Sequence, residues 1–159
     1  MRSTLTGALL VLPLALAGCQ PAGPTTTPQQ PGSGDSAPAV SVLELSVGTC
    51  LNDVDQPLGQ DPTEVPAVPC DEPHQSEVYA DIIVNEPDYP GVDAMVQRAQ
   101  QECIDEFGQF VGLEFAASEL NFHFYYPTAS SWSAGDRSIY CVVFDPGAET
   151  GGTLAGAER

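Results

Sequence analysis

From Val92 to Val111 the apolar residues Val92, Met95, Val96, Ala99, Cys103, Phe107 and Phe110 recur at spacings of three and four. That period puts them on one stripe of a helix. Gln97, Gln100, Gln101, Asp105 and Glu106 fall largely on the other side, and Gly112 follows as a natural stop. Elsewhere the pattern has the period of two that strands require. Ser76 to Val84, "SEVYADIIV", alternates through Val78, Ala80 and Ile82. Leu120 to Tyr126, "LNFHFYY", places Leu120, Phe122, Phe124 and Tyr126 on one face and Asn121, His123 and Tyr125 on the other. Arg137 to Phe144, "RSIYCVVF", is apolar on both faces and reads as a central strand, Ile139 and Cys141 facing one way, Tyr140 and Val142 the other. Ser41–Cys50 and Val65–Cys70 supply weaker strand signals, and "PTASSWSAG", 127 to 135, a turn with a short helix. The order β-β-β-α-β-β predicts an α+β domain: a small, mostly antiparallel sheet with one main helix packed on it.

The ends read differently. Arg2 precedes an apolar run from Leu5 to Leu16, the length of a signal-peptide core and short for a bilayer span. It closes in Leu16-Ala17-Gly18-Cys19, which resembles a bacterial lipobox. The resemblance implies a lipoprotein signal peptide over 1–18 and a lipidated Cys19 carrying diacylglycerol and further acyl (palmitate-type) chains. More than one chain makes anchoring durable. Residues 19–40 continue as "CQPAGPTTTPQQPGSGDSAPAV", too poor in large apolar side chains to offset the entropy of ordering. They read as a disordered tether with a coil span of roughly 25 Å. The globular domain is expected over 41–145, and 146–159, "PGAETGGTLAGAER", as a flexible tail.

Charge narrows the functional classes. Without the signal peptide, three arginines face 22 acidic residues, leaving −19, and the chain has no lysine. Nucleic acid is excluded as a partner, because phosphate binding needs cationic groups. The domain itself should be held off an anionic leaflet, with Cys19 as its only membrane attachment.

Five cysteines are present. With Cys19 lipidated, Cys50, Cys70, Cys103 and Cys141 remain, which in an exported chain reads as two disulfides. Three pairings are possible. Cys50–Cys70 and Cys103–Cys141 are preferred: the first closes a Pro- and Asp-rich loop, the second joins the apolar stripe of the helix to the central strand. The sequence leaves the choice open.

"VPCDEPHQSEVYA", 68 to 80, gathers Cys70, Asp71, Glu72 and His74 within five positions. A metal centre needs three or four ligands. With the thiols paired and only His74 and His123 available, no metal and no cofactor are expected. No G-x-S-x-G, phosphate loop or calcium loop is present. The stretch reads as a disulfide anchor, a Pro73-set turn, and a strand start, with His74 bonding across the turn or pairing with Glu77. Gly135-Asp136-Arg137 reads as a turn in which Asp136 bonds the backbone and Arg137 pairs with an acid. If the surface binds a small ligand, His74, Trp132, Arg137 and Tyr125 are the candidate contacts.

Gly48-Thr49-Cys50-Leu51, the C-x-x-P-H-x-x-E-V run from Cys70 to Val78, Cys103, and P-T-x-x-S-W-x-x-G-D-R-x-x-x-C from Pro127 to Cys141 together resemble the septum-formation domain of actinobacterial envelope proteins. The resemblance covers about Gly48 to Asp145. It implies an extracytoplasmic, membrane-tethered protein linked to septation, with no defined catalytic activity. The expected function is therefore a non-enzymatic, lipid-anchored domain that faces the extracytoplasmic side of the cell membrane and binds an envelope or division protein. The alternative is a binding module for a cell-wall sugar or peptide, and a hydrolase ranks last.

Overall fold

A computed structural model describes residues 38–54 and 62–159. The expected signal peptide, Cys19 and nearly all of the expected tether lie outside those residues. Strands β1 (Ala39–Ser41), β2 (Cys50–Leu51), β3 (Glu64–Val68), β4 (Ser76–Ile83), β5 (Asn121–Tyr125) and β6 (Ser138–Phe144) form one sheet in the order β1-β3-β2-β4-β6-β5. Every neighbouring pair is antiparallel. Helix α1 spans Val92–Val111 and a short helix α2 spans Ala129–Ser133. The α+β expectation holds, with one adjustment. The first expected strand is two short ones, because a 3-10 turn at Val42–Glu44 and the loop through Gly48 break the run between Ser41 and Cys50. No helix among the described residues is long and apolar enough to cross a membrane.

The sheet is covered on both faces. On the α1 side, Met95, Ala99, Cys103, Phe107 and Val111 meet Tyr79, Val84, Ile139, Cys141 and Val143. The buried stripe is narrower than the sequence pattern: Val92, at the helix start, is 53% exposed. Gly112 ends α1 at φ 83°, a left-handed conformation that other residues rarely adopt, and its N–H closes on the carbonyl of Gly108. On the other face a second cluster joins Leu45, Leu51, Val65, Val78, Tyr140 and Val142. β6, flanked by β4 and β5 and apolar from Ile139 to Phe144, feeds both.

The alternation in β4 changes phase part-way. Val78 pairs with Val142, yet Ala80 pairs with Cys141, so Tyr79 is an extra residue in β4. This bulge lets Tyr79 and Ala80 both enter the α1-side core, while Val78 stays on the opposite face. Val78, Ala80 and Ile82 thus do not share one face. Tyr79 uses the re-aiming: its hydroxyl donates to the carbonyl of Cys103 at 2.6 Å, and its ring meets Phe107 edge-on at 5.7 Å.

The last segment departs most from expectation. Residues 146–159 do not fray. Leu154 is 2% exposed within the α1-side core, and Gly156 and Glu158 donate to the carbonyls of Phe110 and Val111 at the end of α1. Arg159 reaches Asp145 at 2.7 Å and Glu119 at 3.1 Å. The Pro/Gly-rich composition suggested fraying. It instead supplies the turns that return the chain to the core, with positive φ at Gly152 and Gly156.

Candidate functional site

The disulfides are Cys50–Cys70 and Cys103–Cys141. The first joins β2 to the turn after β3; the second pins α1 to β6. Both are the preferred pairings, and both withdraw the thiols from nucleophilic or metal chemistry.

Around Cys70 the chain turns through Asp71, Glu72 and Pro73 and buries His74 completely. His74 Nδ1 lies 2.8 Å from the carbonyl oxygen of Glu72, which is the bond across the turn. Glu77 is not its partner. That carboxylate, 2% exposed, accepts from the Thr153 hydroxyl and from the Leu154 N–H, both at 2.7 Å. Three bonds from the same segment fasten the motif further: His74 and Thr150 exchange backbone hydrogen bonds at 2.9 and 2.8 Å, and the Gly152 N–H donates to the Cys70 carbonyl at 2.7 Å. The C-x-x-P-H-x-x-E-V stretch is thus the dock for residues 150–154.

A second polar cluster lies on the face away from α1. Asp53, two residues past β2, is buried and accepts three side-chain hydrogen bonds. Ser76 Oγ donates to Oδ1; His123 Nε2 at 2.9 Å and the Tyr125 hydroxyl at 2.5 Å donate to Oδ2. Ser76 is on β4 and the other two donors on β5, and both strands flank β6. Asp53 therefore spans two strand spacings, roughly 10 Å. Burial raises the Asp53 pKa, but the bond and charge of His123 and the bonds from Ser76 and Tyr125 outweigh it, and the net shift is downward. Burial, and then the Asp53 charge, pushes the Tyr125 hydroxyl up. Because a carboxylate only accepts, His123 must carry its proton on Nε2. Ser76 is buried and aims at the carboxylate rather than at an imidazole, so the cluster is not a serine–histidine relay.

At the start of β6 the Arg137 guanidinium stacks over the Trp132 ring at 3.7 Å. It donates to the carbonyls of Trp132 and Asp136 at 2.8 and 2.6 Å, rather than pairing with an acid. Asp136 does bond the turn, accepting from the Ser138 N–H at 3.1 Å and from the Ser131 hydroxyl at 2.8 Å. Thr128 caps α2 through the Ser131 N–H.

The four candidate ligand contacts are thus not gathered in one place. Ser76 pairs with Phe144 and Ile83 with Ser138, so His74 and Arg137 sit at opposite ends of the β4–β6 ladder. That puts them on the order of 30 Å apart. Tyr125 pairs with Tyr140 and faces Asp53. The clustered group is Asp53, Ser76, His123 and Tyr125. Sequence reasoning missed Asp53 and Ser76, since each becomes distinctive only when β4 and β5 flank β6.

A family model described as septum formation matches residues 21–155. The chain belongs to the septum-formation family. Its role accordingly lies in cell division or the cell envelope. The septum-formation match extends past Asp145 to residue 155, and so takes in Thr150, Thr153 and Leu154, which dock on the His74 motif. No curated protein and no solved structure matches the chain.

Proposed function

We propose that this septum-formation protein is a lipid-anchored, non-enzymatic domain on the extracytoplasmic side of the cell membrane, and that it binds a protein partner acting in division or cell-wall growth. The observation that carries the reading is the commitment of its chemically able side chains to the fold. Asp53 is held by three donors, Glu77 by two, and the four cysteines outside the leader region are paired. Arg137 is turned onto its own helix end. Groups spent in this way position strands and turns and leave recognition to the surface. A domain on a tether, carrying many acids and no lysine, suits contact with a cationic protein surface more than with nucleic acid or an anionic leaflet.

The anchoring half of the reading is tested by fractionation. Cys19→Ala should abolish labelling by a palmitate analogue and move the protein out of the membrane fraction. A variant that stays membrane-bound and labelled would contradict it. The division half is tested by depletion. Misplaced septa or altered wall growth is expected, and cells with normal septa and normal wall incorporation would oppose it.

A further inference from the structure

We propose that one ordered water molecule is a built-in part of this domain, bound between His74 Nε2 and Thr150 Oγ1, and that it completes the docking of residues 150–154 onto the cysteine–histidine motif. His74 Nε2 and Thr150 Oγ1 are both buried, and neither has a hydrogen-bond partner in the protein. Buried polar atoms left unpaired are costly, and native folds commonly satisfy them through internal water. The two atoms belong to residues that face each other directly. His74 and Thr150 exchange N–H to carbonyl bonds at 2.9 and 2.8 Å in an isolated antiparallel bridge. Such a pair projects its side chains to the same side, with Cβ atoms about 5.5 Å apart. One water, through two hydrogen bonds of about 2.8 Å, joins polar atoms up to about 5.6 Å apart.

The donor and acceptor roles also match. The Glu72 carbonyl can only accept, so His74 Nδ1 carries a proton, and Nε2, when it carries none, is an acceptor. The threonine hydroxyl can donate. A water that gives one proton to Nε2 and receives one from Thr150 satisfies both. The same histidine tautomer would suit a metal, but a single threonine hydroxyl is a poor second ligand for one, and the Glu77 oxygens are already held by Thr153 and Leu154.

The test is magnetic resonance on the isotope-labelled full chain. Ring-nitrogen spectra should show His74 Nε2 unprotonated. A cross-peak from long-lived water should appear at the His74 ring and the Thr150 methyl. Thr150→Val should lose the water peak at the ring, and Thr150→Ser should keep it. Absence of the peak in the native chain, or its survival in Thr150→Val, would overturn the proposal. So would a saturable shift of the His74 ring signals on adding zinc, which would put a metal where the water is assigned. The native chain and Thr150→Ser decide the matter even if the valine variant folds poorly.

Discussion

The Asp53 carboxylate draws donors from two strands, so its charge belongs to the folded state. Its pKa in the fold lies below the unfolded value of about 3.9. Through that window the unfolded chain binds more protons, and stability must fall as pH falls. The contribution is present above about pH 4 and is lost as pH drops through the folded pKa. Asp53→Asn should therefore cost about 2 kcal/mol at pH 7, the scale of hydrogen bonds made to a charged group. The gap between variant and native chain in urea unfolding should narrow as pH falls below about 4. A gap that does not change with pH would mean that the charge is not what Asp53 contributes. Nothing local marks this aspartate among 22 acidic residues. Its role depends on strand order, a long-range property that neither period nor motif encodes. His74 is the opposite case: the proline-set turn made its bond across the turn legible, while its burial came from a segment that composition had assigned to the solvent.

At the scale of elements, legibility followed the length of the periodic run. The helix bounds 92–111 and the strand cores of β4, β5 and β6 were readable because patterns of twenty residues and of five to eight residues average over local exceptions. The bulge at Tyr79 was not, since one inserted residue leaves apolar composition unchanged while it switches the face. The terminal segment was misread because glycine and proline mark turns without saying whether the turns are packed. Its packing has a measurable weight. Leu154→Ala should destabilise the domain by roughly 2–4 kcal/mol through cavity formation. Deleting residues 150–159 should cost more, since Glu77 then loses two donors and stays buried or forces water inward. Thermal unfolding checks both; a deletion no worse than the single substitution would contradict the docking. The two disulfides act at the same scale. Replacing Cys103 and Cys141 together by alanine should cost roughly 4 kcal/mol in the chain-entropy picture, and replacing Cys50 and Cys70 roughly 3, following the loop lengths. Chemical denaturation of the two double variants checks the order.

At the scale of the whole molecule, the domain is a small sheet with a core on each face, two disulfides and an acidic composition. Its buried carboxylates, Asp53 and Glu77, accept hydrogen bonds from the fold itself, and the proposed function rests on that. The septum-formation family gives the cellular setting, and the tether and lipidated Cys19 would give the place. The claim tested most directly is that this domain works by binding a protein. Cross-linking in living cells, followed by purification and reconstitution with the purified partner, measures it. One division or cell-wall synthesis protein should be recovered and should then bind the isolated chain directly, with affinity that falls as salt rises. Recovery of no such protein, together with direct binding or turnover of a cell-wall sugar or peptide by the purified chain, would contradict it.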